Sequence, residues 1–290
     1  MDIQRQLESA LQDAQEKRFT DAERKFLSIL KQPLGDRDSG TIQGLLGAVY
    51  AALGDHARAV DVLGEASEKN PEDASIFSNL CNCLIETGRF EDAVAASRTA
   101  VALEPDYAEA HNNLGNALQR TGDLAGAADS YRRALSLNPG YAIAYNNLGN
   151  VRFDQGDIAA AAASYREALR LNPSYVLAHN NLASVSRAQG DLDAAVQSCN
   201  RAIELQPGNP ESHKNLAVVY RDMGKAEESL VHFRRALDLK PGYEDAARGI
   251  GEVYLETGRH AEGLAAMEKA FGMIRFDLGA GITVRGGDAP

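Results

Sequence analysis

Cysteine is scarce in this 290-residue chain, with Cys81, Cys83 and Cys199 its only three, and tryptophan is absent altogether. So few thiols, in an odd number, exclude a disulfide scaffold and point to reduced cysteines in a reducing compartment. The C-x-C spacing of Cys81 and Cys83 has no second pair to complete a zinc site, so no metal and no other cofactor is expected. No stretch approaches the ~20 apolar residues that cross a bilayer. The opening MDIQRQLESALQDAQEKRF mixes charges throughout and lacks the apolar run and small-residue cleavage site of a secretion signal. These absences predict a soluble, cytoplasmic protein with no membrane partner.

Basic charge is also in deficit. Against 41 acidic residues stand 30 basic ones, a formal charge of −11, which repels phosphate backbones and removes nucleic acid from the expected partners. Neither a Walker loop, a dinucleotide fingerprint, an H-E-x2-H helix nor a G-x-S-x-G elbow occurs. No isolated acidic pair suggests general acid–base work, so the chain is not expected to be an enzyme by itself.

What is present is repetition. The segment AEAHNNLGNALQRTGDLAGAADSYRRALSLNPGY, residues 108–141, is followed at once by AIAYNNLGNVRFDQGDIAAAAASYREALRLNPSY, and the two agree at 21 of 34 positions. Pro71, Pro105, Pro139, Pro173, Pro207 and Pro241 fall 34 residues apart without a slip. A fixed period of this size marks a stack of supersecondary units, each packing on its neighbours. Within a unit, apolar residues recur at helical spacing twice, separated by Gly-Asp or a similar breaker. In 108–141 the first helix is expected from Glu109 to Arg120, Gly122 supplies the turn, and Asp123 caps the second helix, as Asp55, Asp157 and Asp191 do in other units. Proline ends each second helix. Gly115, Ala127 and Ala134 and their counterparts let the two helices approach closely, with Leu114 and Tyr131 filling the space between.

The spacing L-G-x2-Y, A-x3-F, P, seen as Leu46, Gly47, Tyr50, Ala59, Leu63 and Pro71, resembles the tetratricopeptide repeat. The resemblance implies an all-α fold, a right-handed α-solenoid superhelix of about eight helix-turn-helix repeats whose first helices line a concave face that binds proteins or peptides. The repeats are read as a divergent first at 3–36, then 40–73, 74–107, 108–141, 142–175, 176–209 and 210–243, and a capping eighth at 244–273; residues 37–39 join the first to the second. Residues 274–290 leave the pattern. Their alternation at Ile274, Phe276 and Leu278, then Ile282 and Val284, reads as a short hairpin, a mobile tail or the opening of a further domain.

The candidate site is a row of asparagines. Asn79, Asn113, Asn147, Asn181 and Asn215 occupy the sixth position of five consecutive units, beside Asn112, Asn146 and Asn180 and one turn before Asn116 and Asn150. Core residues such as Leu114 and Gly115 follow them directly, which turns the amides toward the concave face. A carboxamide offers one acceptor and two donors, the complement of a peptide group. Asparagine is also a poor helix former, costing roughly 0.6 kcal/mol relative to alanine at each exposed site, so its recurrence favours a role. Units built this way resemble those of the protein O-GlcNAc transferases, in which such a row holds substrate polypeptide.

Ile143, Leu177, Phe153, Tyr145 and Val218 are candidate apolar anchors in the same groove. Ser75, Glu109, Ile143, Leu177 and Glu211 at the second position argue against a clamp for a terminal carboxylate. His111, His179 and His213 share the fourth position, where Phe77 and Tyr145 stand elsewhere, and read as packing residues rather than metal ligands. The leading expectation is thus a scaffold that binds an extended protein segment. The alternatives are the substrate-recognition arm of a larger, glycosyltransferase-like enzyme, and a scaffold that self-assembles through its end repeats or its tail.

Overall fold

Pro71, Pro105, Pro139, Pro173, Pro207 and Pro241 each force the residue before them out of the helical region, because the pyrrolidine ring clashes with a helical predecessor. In the computed structural model, which describes residues 3–271, 275–277 and 281–283, those predecessors are Asn70, Glu104, Asn138, Asn172, Gln206 and Lys240. All sit at φ between −131° and −142° and ψ between 71° and 90°, and each closes a helix. The helix start is set just as locally. The carboxylates of Asp55, Asp123, Asp157 and Asp191 accept the backbone N–H three residues on, satisfying a donor that the first turn leaves orphaned.

Sixteen helices and two short strands result among the described residues, and the helices build an α-solenoid of helix-turn-helix repeats. The chain divides into two compact units, residues 1–155 and 156–290. The first contains α1 (Ile3–Gln15), α2 (Phe19–Leu30), α3 (Asp36–Ala52), α4 (His56–Lys69), α5 (Ala74–Glu86), α6 (Phe90–Leu103), α7 (Ala108–Arg120), α8 (Leu124–Leu137) and α9 (Ala142–Asp154). The second contains α10 (Ile158–Leu171), α11 (Val176–Ala188), α12 (Leu192–Leu205), α13 (Pro210–Asp222), α14 (Ala226–Leu239), α15 (Glu244–Glu256) and α16 (His260–Phe271). Odd-numbered elements are the first helices of the repeats, even-numbered ones the second. One boundary differs from the sequence reading: α3 begins at Asp36, so residues 37–39 and Gly40 lie inside a helix whose first turn carries Asp36 and Asp38.

Turns between the two helices of a repeat need a left-handed residue. Gly54, Gly88, Gly122, Gly190, Gly224 and Gly258 take φ between +74° and +87° there, a region that costs a side chain roughly 1–2 kcal/mol. In the divergent first repeat, Lys17 takes the same part at φ 59°.

Small-to-large pairing holds each hairpin together. A Cβ added to Gly115 would stand 2.6 Å from the Tyr131 ring, which is fully buried, so α7 and α8 touch where the side chain is missing. Leu63 fills the same space against Gly47. Between repeats of the second unit, the tip of the Phe233 ring on α14 meets Gly249 on α15, leaving no room for a Cβ, and the asparagine row stops there because glycine takes its sixth-position slot. In the first repeat Ala22 and Phe26 are fully buried, as their place in the pattern predicts.

Beyond the helices, Arg275–Asp277 pairs antiparallel with Gly281–Thr283, Phe276 opposite Ile282. Of the residues on which the tail is read, Ile274, Leu278 and Val284 lie outside the described residues. None of the described helices is long and apolar enough to cross a membrane.

Candidate functional site

The ten asparagines fall into two groups. Asn112, Asn146 and Asn180 are each 3% exposed and Asn113 6%, whereas Asn79, Asn147, Asn181, Asn215, Asn116 and Asn150 are half-buried. For the fifth-position residues and Asn113 this corrects the expectation of an open ladder. The fifth position precedes the core-facing seventh by about 200° of helix, which aims it at the neighbouring repeat rather than at the groove.

Hydrogen bonds in the first unit show what the buried amides do. Asn147 Nδ2 donates to Asn112 Oδ1 at 3.2 Å and to Asn116 Oδ1 at 3.1 Å, tying α9 to α7. Tyr131 Oη donates to the same Asn116 oxygen at 2.7 Å. Asn112 Nδ2 reaches Asn113 Oδ1 at 3.5 Å, and Asn113 Nδ2 donates to Ser78 Oγ at 2.8 Å, tying α7 to α5. A polar chain from Ser78 to Tyr131 thus joins three consecutive first helices. Burial of the Tyr131 phenol pushes its pKa up, so it donates at any working pH. Sequence reasoning missed Ser78 and Tyr131 as members; the available signal was that Ser78 holds the same fifth position as Asn112.

Two rungs stand apart. The carboxamides of Asn79 and Asn215 make no hydrogen bond to another described residue, and both side chains are half-exposed. Open depressions adjoin the row in each unit. One of about 320 Å³ is lined by Asn82, Ile85, Glu86, Asn116, Gln119 and Arg120; another of about 130 Å³ is lined in part by Ser184, Arg187, Lys214 and Asn215.

Of the expected apolar anchors, Ile143 is 48% exposed and Leu177 54%, with Phe153 also open, while Tyr145 and Val218 are half-buried. Three cations on the first helices of the second unit are paired with carboxylates. Arg187 pairs with Asp222 at 2.9 Å, Lys214 with Glu211, and Arg221 with Glu252. Arg120 lies over the Phe90 ring at 4.4 Å.

The fourth-position histidines have a defined partner. His111, His179 and His213 direct Nε2 at the carbonyls of Pro105, Pro173 and Pro207, at 2.9, 3.0 and 3.1 Å. Each ring ties a first helix to the turn that precedes it. The reading as packing residues stands, with a hydrogen bond added that the six-residue His–Pro spacing could have suggested. The three cysteines are buried and free. Burial pushes the Cys81 and Cys199 thiols up to about 12 and Cys83 to about 11.

Comparison with known proteins agrees with this architecture. The tetratricopeptide repeat profile matches residues 82–142, 146–210 and 214–272, together more than half of the chain, and a second tetratricopeptide profile matches residues 42–65. The fold is similar to the crystal structure of the APC/C hetero-tetramer Cut9-Hcn1, with TM-score 0.69 at 20% identity. That match covers 80% of this chain but 46% of the other, so the chain spans under half of that relative's length. It is also similar to YrrB, described as a TPR protein with an unusual peptide-binding site, with TM-score 0.50 at 24% identity, covering 68% of this chain and 97% of that one. MamA matches with TM-score 0.50 at 24% identity, over 58% of this chain and 91% of its own. At these identities the likeness is one of fold. No curated protein sequence matches the chain.

Proposed function

Because the chain belongs to the tetratricopeptide repeat family, we propose that it is a protein-interaction scaffold whose first helices hold an extended segment of a partner protein. The observation that carries this reading is the half-exposed carboxamide at the sixth position that makes no hydrogen bond to another described residue, Asn79 in the first unit and Asn215 in the second. Such a side chain can accept from one peptide N–H and donate to one peptide C=O, so it grips main chain of any sequence.

Magnitudes divide the labour. Each hydrogen bond contributes ~1 kcal/mol net, whereas ordering each ligand residue costs about 1–2 kcal/mol. The amides therefore set register, and affinity comes from apolar side chains seated against Ile143 in the first unit and Leu177 in the second, at about 25 cal/mol per Å² buried. Since Arg187, Lys214 and Arg221 of the second unit are already paired with carboxylates, the favoured ligand is a polypeptide of mixed side chains rather than one charge class. The three free, buried thiols suit a reducing compartment such as the cytoplasm. The same row underlies the likeness to the repeats of protein O-GlcNAc transferases, in which reading the held segment is an enzyme's substrate.

The test is an array of random dodecapeptides probed with wild type and with the triple variant Asn79→Ala, Asn181→Ala, Asn215→Ala. We expect the variant to lose about tenfold or more in affinity, the worth of one or two hydrogen bonds, with its helical content unchanged. Equal binding by the two proteins contradicts the reading.

A further inference from the structure

An arginine recurs on the second helices and is missing from α4. Arg98, Arg132, Arg166 and Arg234 hold one and the same repeat position, where α12 carries Asn200 and α4 carries Gly64. A glycine inside a helix weakens it, and no close neighbour demands one here: a Cβ added to Gly64 would meet nothing within 4 Å. Its effect is to leave open a cleft of about 580 Å³ in the first unit, walled by α4 and α6 and floored by α5. Phe77, Leu80 and Leu84 line the floor as an i, i+3, i+7 stripe, and Ala95 and Ala96 keep the α6 wall low. None of the asparagines of the row lines it.

The α4 wall is acidic. Asp61, Glu65 and Glu68 line the cleft at i, i+4 and i+7, a spacing at which like charges repel along a helix. One repeat on, the same positions hold Ala95, Thr99 and Ala102. None of the three carboxylates forms an ion pair among the described residues. Arg58 is held by Asp55 and Glu23, Arg89 by Asp92 at 2.7 Å, and Lys69 reaches Ser39 Oγ at 3.5 Å. Glu65 accepts a bond from the uncharged Gln43 Nε2 at 2.6 Å.

We infer that this cleft docks a basic amphipathic helix of a partner protein, its apolar side chains seated on Phe77, Leu80 and Leu84 and its lysines or arginines against the α4 carboxylates. Walls and floor are all helices, whose interior N–H and C=O groups bond within their own helix. An extended segment would therefore lose water from its amides and find no main-chain partner, whereas a helix satisfies its own. The apolar floor has the spacing of a helix stripe, which the stripe of a second helix complements. Small residues on both walls let the helix axes come within the ~8–10 Å of ordinary packing. Charge sets the sign of the occupant: three carboxylates without a cation attract a basic helix and repel an acidic one, as they repel phosphate. The surface is separate from the asparagine row, so the inference goes beyond the function proposed above and does not depend on it.

The test uses the full chain and three fluorescein-labelled peptides of about 18 residues, five helical turns. The first sets leucine at i, i+3, i+4 and i+7 among lysines, the second replaces each lysine by glutamate, and the third places a proline at the centre of the first. Fluorescence anisotropy should show saturable binding of the lysine peptide, with the glutamate and proline copies weaker by about tenfold or more. Gly64→Arg plugs the cleft with the residue that other repeats carry, and should weaken the lysine peptide by about tenfold or more while the melting temperature holds or rises. Asn200→Arg adds the same charge at the same position of α12 and should bind within about twofold of wild type, which separates blockage from a change in net charge. If Gly64→Arg binds as wild type does, if Asn200→Arg loses as much, or if the proline copy binds as tightly as its parent, the inference is overturned. Sedimentation supplies a further check: a wild-type dimer that Gly64→Arg converts to monomer would put a second copy of the chain in the cleft and overturn it as well. The variant Asn79→Ala, Asn181→Ala, Asn215→Ala should bind the lysine peptide as wild type does, so failure of the asparagine row and failure of this cleft are read apart.

Discussion

The Nδ1 atoms of His213 on α13 and His232 on α14 lie 3.1 Å apart, with the rings stacked at 5.4 Å between centroids. One proton fills such a contact. Because His213 donates Nε2–H to the Pro207 carbonyl at 3.1 Å, its Nδ1 carries the lone pair, and His232 Nδ1–H is the donor.

Stability should therefore fall in acid. Burial lowers the pKa of both rings, His232 further through His213, with Arg235 adding to the effect on His213. A depressed histidine pKa means the unfolded chain binds protons that the folded chain refuses. Stability is thus full above the ordinary value of about 6.5 and declines as pH drops below it, by at most about 1.4 kcal/mol per pH unit for each ring. Thermal melts from pH 8 to pH 5 should show this decline in wild type, and a shallower one in His232→Phe. Parallel curves would refute the shared-proton account.

Glycine at the turn and glycine beyond the proline should behave differently. Gly122 sits at φ +87°, whereas Gly140 has an ordinary backbone and only the Asn138 side chain at 3.4 Å. Gly122→Ala is expected to cost about 1 kcal/mol and Gly140→Ala close to nothing, read as shifts of the urea midpoint.

Removing one oxygen atom from the first unit's polar chain should be felt as stability, not as binding. Tyr131→Phe deletes the donor to Asn116 and is expected to lose about 1 kcal/mol by urea unfolding. Dodecapeptide affinity should stay within twofold of wild type, since this network faces its own repeats.

Thiol chemistry should be silent in the folded state. With Cys81 and Cys199 pushed up to about 12 and Cys83 to about 11, and all three buried, a disulfide reagent at pH 8 should label none of them until denaturant is added. Rapid labelling of the native chain would show that the repeats around them open readily.

Punctuation was legible in the sequence because it acts locally. Pro139 ends α8 through its clash with Asn138, Gly122 turns the chain, and Asp123 caps the helix that follows, and none of these needs a distant partner. The sharing of work among the asparagines was not legible. Asn112 and Asn113 are adjacent on one turn, yet whether either meets solvent depends on Ser78 and Asn147, which belong to the repeats before and after. The start of α3 at Asp36 escaped for another reason: Pro33 and Gly35 stand just before it, but the 34-residue beat counted from the later prolines puts the repeat start at Gly40. The unbonded Asn180 carboxamide is the least visible from sequence, since its counterpart Asn112, the same residue at the same fifth position, is bonded to Asn113 and Asn147.

The most direct measurement is calorimetric titration of one dodecapeptide selected from the random array, alongside a copy methylated at every main-chain nitrogen. A face that reads peptide groups through carboxamides predicts that methylation, which removes the donors and leaves the side chains, weakens binding by tenfold or more. Equal affinity for the two peptides would mean that side chains alone are recognised and that the asparagine row holds no main chain.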